Sequence, residues 1–321
     1  MPCRSALCLL AACAAIPVAA FAQTFPVKPV RIVVPFPPGD TIDTMTRLIA
    51  PRLSERLGQP MLVDNRAGAA GQLGLELVAR SAPDGYTLVI GQGGSLSIQP
   101  HTYKKLPYDP FRDFTPVALA ARNFLALAVS ASGPFRTLQD LITHAKANPG
   151  KLILASNGEG GSPHVSTEKM RLAAGFAYLH VPFKGSAQII TEILGGRVDG
   201  TILGIGPLAP MVQNGRLRLL AVTSPNRAAL YPDVPAMSET LPGFDSRGWF
   251  GYLGPAGLPP RLVELLNGEI NRALNLAEIR DRLEATGLTV MNESAQAFAK
   301  AMREEHDAYG KLIRAIGLQP Q

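Results

Sequence analysis

Glycine and hydroxyl residues gather at four places where an apolar run of the sequence ends: 36–44, 91–97, 156–162 and 184–186. Backbone N–H groups freed by glycine, together with Thr41, Ser95 and Ser156, are neutral donors. Where a helix begins, its positive end adds a field that favours an anion. In open α/β sheets, ligands sit beyond the carboxyl ends of strands. That inventory suits recognition of a carboxylate by neutral donors, with helix ends supplying the field. Taken singly, each hydroxyl also reads as a routine helix cap.

Catalytic signatures are missing. A G-x-G-x-x-G run after Ser156 would need glycine at position 163, which is Pro163, and no phosphate-cradling G-x-x-x-x-G-K-[ST] occurs. There is no G-x-S-x-G elbow, and the histidines at 101, 144, 164, 180 and 306 show no metal-ligand spacing. Neither a metal nor a cofactor is expected. A triad scattered along the sequence stays open, with Ser95, Ser156 or Ser162 as nucleophile and His164 as base.

The elements that position these loops alternate. Val30–Val34 is a β-branched apolar run that reads as a buried strand, stopped by Pro35, Pro37 and Pro38 and turned at Gly39. From Ile42 the period changes to that of a helix, with Met45, Ile49 and Leu53 on one face. Met61–Asp64 and Tyr86–Gly91 follow as strands, around a helix predicted to bury Leu73, Leu77 and Val78. A flexible loop is expected at 92–97, then an irregular Pro-studded segment at 99–116. Val117–Ser130 reads as one long strand passing from a first domain into a second. There Lys151–Ser156, Tyr178–Pro182, Val198–Leu203 and Leu217–Val222 predict a second parallel sheet. Trp249–Leu253 reads as a strand crossing back, and the helices at 261–273, 277–285 and 295–316 must pack on the first domain. The expected fold is α/β: two doubly wound parallel or mixed-sheet domains, joined by two crossover strands with a ligand cleft between. Domain 1 is 23–123 plus 247–321, and domain 2 is 124–246.

Of the 321 residues, 46% are hydrophobic and 17% charged, a globular balance with no disorder signature. The net charge of +6 is thinly spread, with no basic block and a single Trp, so nucleic acid is not an expected partner. Arg4, an apolar Ala6–Ala20 stretch and Ala20-Phe-Ala22 read as a signal peptide, 1–22, cleaved after Ala22. Leu10-Ala-Ala-Cys13 also resembles a lipoprotein box, though too few apolar residues precede it. All three cysteines lie in this leader, so the mature chain carries no thiol. The expected product is a soluble, exported, periplasmic monomer.

Pro26-Val-Lys-Pro-Val-Arg-Ile-Val-Val-Pro-Phe-Pro-Pro-Gly39, Val63-Asp-Asn-Arg-Ala-Gly-Ala-Ala-Gly71 and Ala82-Pro-Asp-Gly-Tyr-Thr-Leu88 resemble the Bug family. These are the substrate-binding proteins of tripartite tricarboxylate transporters. Leu106-Pro-Tyr-Asp-Pro110, Ala155-Ser-Asn-Gly158, His180-Val-Pro-Phe-Lys-Gly185 and Leu220-Ala-Val-Thr-Ser224 extend the match through nearly the whole mature chain. The resemblance implies a type II periplasmic binding protein that closes by a hinge on a small carboxylate: an amino acid, an aromatic acid or a di- or tricarboxylate. It further implies delivery to membrane permease subunits, with no cofactor and no catalysis. A ligand-presenting partner of a sensor kinase would use the same closed state.

By position, the resemblance carries ligand contacts to Phe36, Gly39, Asp40, Thr41 and Asp43, and to Gly94 and Ser95. From the second domain it adds Ser156, Asn157, Gly158, Lys184, Gly185 and Asp199. Two positions depart from the family: Asp40 stands where it usually has glycine, and Phe183 where it usually has tyrosine. A carboxylate at the helix start would repel an anionic ligand or occupy its N–H donors.

Overall fold

The computed structural model describes residues 25–183 and 185–320; the leader with Cys13, and Lys184 among the expected ligand contacts, lie outside the described residues. The chain opens with β1 (Val30–Val34), α1 (Thr41–Leu57), β2 (Met61–Asn65), α2 (Gln72–Ala79) and β3 (Thr87–Gln92). A π-helical turn at Gly94–Ile98 runs into the short α3 (Gln99–Thr102). Next come β4 (Phe114–Asn123), β5 (Leu125–Ser130), α4 (Leu138–Ala147), β6 (Ile153–Ser156), α5 (Ser162–Ala174) and β7 (Leu179–Pro182). They are followed by α6 (Ser186–Leu194), β8 (Gly200–Gly204), α7 (Ile205–Gln213) and β9 (Leu217–Val222). The last part holds β10 (Gly248–Pro255), α8 (Pro260–Leu274), α9 (Ala277–Glu284), β11 (Leu288–Val290) and α10 (Ala295–Ala315).

Two mixed sheets result, with strand orders β11-β4-β10-β3-β1-β2 and β7-β6-β8-β5-β9. β1 pairs in parallel with β2 and β3, so the loops leaving all three emerge on one edge. β10 lies antiparallel to β3 and β4, which brings Gly248 to that same edge beside Gln92 and Asn123. The second sheet is not all parallel, as the sequence suggested. β6 pairs in parallel with β7 and β8, but β5 runs antiparallel to β8 and β9, because it enters from the first sheet. Leu125 therefore sits opposite Gly204, at the edge where β6, β7 and β8 end. The carboxyl edges of the two sheets face each other across the crossovers.

Val117–Ser130 is two strands rather than one, divided at Phe124, with one in each sheet. The apolar pattern could not mark the break, since Phe124 is itself buried. Both faces of each sheet are covered. In β1, Ile32 and Val34 pack under α1, α8 and α9, while Val33 packs with Leu75, Val78 and Phe298 of α2 and α10. In the second sheet, α4 and α5 cover one face, and Ile189, Ile193 and Leu208 of α6 and α7 cover the other. Each buried aliphatic side chain contributes about 1.5–3 kcal/mol, enough to hold the sheet edges rigid beneath the loops. In α2 the buried face is Leu75 and Val78, and Leu73 is 53% exposed. The apolar spacing had placed Leu73 inward, but that helix begins only at Gln72, after an irregular turn.

Candidate functional site

The turn after β1 is built around Asp43, which lies in the first turn of α1 and is buried. Its carboxylate accepts the Gly39 N–H at 2.8 Å, the Asn65 amide at 2.9 Å and Arg47 Nε at 3.0 Å. Asn65 also donates to the Phe36 carbonyl at 3.1 Å, tying β2 to the same turn. Burial pushes Asp43 up, but Arg47, the Gly39 N–H and Asn65 outweigh it and hold the carboxyl below the usual carboxylate range. Asp43 thus shapes the loop and keeps its own oxygens occupied.

Asp40 caps α1, with Oδ1 accepting the Ile42 N–H at 3.1 Å. The cap occupies one of the donors that a ligand anion would otherwise use. Asp40 is solvent-exposed, with its carboxylate held against the loop backbone at the start of α1. Partial desolvation, helped by the charge of Asp43, raises its carboxyl above the ordinary value, against the lowering effect of the Ile42 and Thr41 N–H groups. Thr41 is exposed beside it, and Gly39 takes φ +84, a left-handed turn position.

Two further loops of the first lobe converge here. A Cβ on Gly71 would stand 3.3 Å from the Phe36 ring and 3.3 Å from Ser95 Oγ, so these three residues meet. Ala69 and Ala70 hold φ of 47° and 53°, conformations that cost about 1 kcal/mol or more each. The strained turn is clamped: the Ala70 carbonyl accepts Ser95 Oγ at 3.2 Å and Gln99 Nε2 at 3.1 Å. Tyr108 then donates to the Ser95 carbonyl at 2.7 Å. The segment 92–97, expected to be a flexible loop, is instead this buried turn, with Ser95 only 1% exposed. Its hydroxyl faces Ala70, and Gly94 is the residue turned toward the second lobe.

In the second lobe, Ser156 ends β6 and is fully buried. Its hydroxyl donates to the Gly158 carbonyl at 2.8 Å and lies 2.8 Å from His180 Nε2. With the hydroxyl hydrogen directed to that carbonyl, the imidazole must be the donor. His180 stacks on His164 with centroids 3.7 Å apart and planes 4° apart. His164 Nδ1 accepts the Gly160 N–H at 3.0 Å. Burial lowers both histidines, His180 to about 4 with the neighbouring His164 contributing, so both rings are neutral at pH 7. The Ser156–His164 nucleophile–base pair considered from sequence is thus not formed. The imidazole that reaches Ser156 is His180, in a donor role, and His164 is engaged with Gly160.

Gly158 adopts φ +138 and Gly160 φ +69, and Asn157 between strand and helix is exposed. Among the described residues, the backbone N–H groups of Asn157 and Gly158 have no acceptor. Gly185 caps α6 with open space where a Cβ would be. Across the cleft, a Cβ on Gly94 would lie 3.2 Å from Ser162 Oγ, and one on Gly160 would lie 3.1 Å from Thr102. Ile98, Val165 and Ile313 form a small shared apolar cluster behind them.

Asp199 is not part of this constellation. Its Oδ2 accepts the Ile153 N–H at 2.7 Å, at the start of β6 and β8. Ser156 lies at the other end of β6, about 10 Å away by strand rise. Asp199 fastens two parallel strands where they begin, so it leaves the ligand set. The sequence reading also missed Asn65, Arg47, Gln99 and His180 as builders of the site. Asn65 and His180 stood within the motifs that carried the resemblance, which was the available signal.

The chain matches the "Tripartite tricarboxylate transporter family receptor" family over residues 45–318. It is 38% identical to a protein from the tcbD-tcbE intergenic region of Pseudomonas sp. strain P51, over 91% of this chain and 87% of that one. The solved structure of R. palustris Rpa4515 with adipate is similar, at TM-score 0.80 and 34% identity, covering 92% of this chain and 100% of the other. MatC from Rhodopseudomonas palustris with bound malate gives TM-score 0.75 and 31% identity, over 90% of this chain and 100% of that one. This chain belongs to the tripartite tricarboxylate transporter receptor family.

Proposed function

We propose that this chain is a periplasmic solute-binding protein that captures a small carboxylate by closing two lobes on it, for delivery to membrane permease subunits. The lobes are residues 25–123 with 247–320, and 124–246. The ligand contacts are Phe36, Gly39, Asp40, Thr41 and Gly94 from the first lobe, with Ser156, Asn157, Gly158, Gly185 and Lys184 from the second. Asp43 and Ser95 act behind them as supports. The observation that carries this reading is the opposition of two glycine-bearing strand-end loops, one of which presents the N–H groups of Asn157 and Gly158, without an acceptor among the described residues. Fixed neutral donors suit a carboxylate because they hold it with charge-assisted hydrogen bonds and carry no competing counter-charge.

A thermal-shift panel tests the class, since a solute that binds only the folded state raises the melting temperature. Adipate and malate, the ligands of two solved relatives, are the first probes, with amino acids and aromatic acids beside them. A solute at about a hundredfold its Kd should add about 2.7 kcal/mol of stability. No shift with any carboxylate would overturn the reading.

A further inference from the structure

Behind the ligand loops, where the chain crosses between lobes, lies a charged cluster that the carboxylate site does not use. Glu305 of α10 accepts the Trp249 indole N–H on Oε1 at 2.8 Å, and Arg122 Nη1 stands 3.8 Å from Oε2. Arg122 and Trp249 flank the two crossovers, at the end of β4 and the start of β10. A Cβ on Gly93 would lie 2.8 Å from Glu305 Oε1 and 2.9 Å from Trp249 Nε1. The Glu305–Trp249 pair is therefore the surface on which the Gly93 backbone rests, at the start of the turn that carries Gly94 and Ser95.

Groups from both lobes surround the carboxyl. On the return crossover, Asp245 and Arg247 pair at 2.7 Å. Lys169, on α5 of the second lobe, donates to the Asp245 carbonyl. Glu304 and Tyr309 of α10 line the same recess, and the Ser97 hydroxyl lies nearby without a hydrogen bond of ordinary geometry.

We propose that Glu305 is a positioning residue for the Gly93–Ser95 loop, and that closure of the lobes is accompanied by proton uptake at its carboxyl. The inference rests on the two-lobe closing reading above. In this arrangement the carboxyl side chain is 17% exposed and has one neutral N–H donor and one distant guanidinium. That is poor compensation for a full charge removed from water. Burial raises Glu305 from its ordinary 4.5 to about 7; Arg122, the indole N–H and Ser97 oppose the rise, and Asp245 adds to it. Parting the lobes readmits water and returns the group toward its ordinary range. The closed state then binds the proton more tightly, so closure strengthens as pH falls from about 7 toward 4.5 and weakens as pH rises.

Trp249 is the only tryptophan, so its emission reports on its hydrogen-bond partner. The lobes can be locked without any solute by a Gly94→Cys/Ser162→Cys disulfide, because those positions face each other and all native cysteines precede residue 14. The Trp249 emission of the oxidised pair should titrate at least one pH unit above that of the reduced pair. One unit corresponds to roughly a tenfold change in the closure equilibrium. Glu305→Gln should abolish the transition in both forms. Equal midpoints in the oxidised and reduced forms, or a transition that persists in Glu305→Gln, would overturn the proposal. If that double variant does not fold, the wild-type chain with adipate carries the test by calorimetry in two buffers of different ionisation enthalpy. Proton uptake at pH 6 that is lost in Glu305→Gln supports the proposal, and equal uptake in both chains refutes it. The disulfide arm needs no solute, so failure there is separable from failure of the carboxylate reading.

Discussion

The two jaws of the cleft are held in shape by different chemistry. In the first lobe, the turn after β1 is organised by a buried carboxylate that gathers a backbone N–H, an amide and a guanidinium. In the second lobe, the Ser156–Gly160 loop is organised by two stacked neutral imidazoles and one hydroxyl. A charged organiser forms strong bonds and stays ionised to low pH. A neutral imidazole organises only while it remains unprotonated, because protonation removes the lone pair that holds Gly160. Similar loop geometry is therefore reached with opposite sensitivities to acid.

The largest expected effect comes from removing the charged organiser. Asp43→Ala leaves the Gly39 N–H, the Asn65 amide and Arg47 without their acceptor. The expected loss is about 2–3 kcal/mol, below the value for a fully buried ion pair because Arg47 is half-exposed. Urea unfolding measures this directly. A loss under about 0.5 kcal/mol would mean that Asn65 alone holds the turn, and the contrast between the jaws would weaken.

Acid sharpens the comparison further. His180 is depressed from 6.5 to about 4 in the folded chain, so its contribution to stability is complete above 6.5 and is lost as pH falls toward 4. Asp43, depressed below 3.8, keeps its contribution until the pH falls below the ordinary carboxylate range. Stability should thus decline between pH 6.5 and 4 while the first jaw is intact. The slope from His180 is at most about 1.4 kcal/mol per pH unit, less if partial exposure screens it. His180→Gln should flatten that part of the stability profile. A profile equally steep in the variant would place the acid sensitivity elsewhere.

The first jaw was more legible in the sequence than the second, for physical reasons. Val30–Leu57 announces itself through a β-branched run, a proline stop, a glycine and a 3.6-residue period, and Asp40 caps as its residue type suggests. The second jaw depends on His164 and His180, one in the first turn of α5 and the other on β7, whose stacking depends on how the helix after β6 packs beside its parallel neighbour β7. Asp199 was carried over by position from the resemblance, and its bond to the Ile153 N–H sets it at the start of β6, the end away from Ser156. Phe124 gave no sign of dividing two sheets, since a buried crossover is as apolar as a strand interior. Leu73 was turned outward by the left-handed Ala69–Ala70 turn, which no periodicity foretells.

The smallest expected effect concerns Asp40, the exposed carboxylate that caps α1. Asp40→Gly removes the side chain that occupies the Ile42 N–H and frees the start of α1. The loss in stability should be a few tenths of a kcal/mol, since glycine is itself an acceptable cap. Affinity for a simple carboxylate should rise about three- to fivefold, equivalent to about 0.6–1 kcal/mol from the exposed helix end and the removed like charge. A solute carrying an ammonium group should respond in the opposite sense, because Asp40 is its natural counter-charge. Measuring malate and an α-amino dicarboxylate against both chains separates these cases. If both solutes bind the variant unchanged, Asp40 is only a cap, and the first jaw recognises its ligand through Phe36, Gly39 and Thr41.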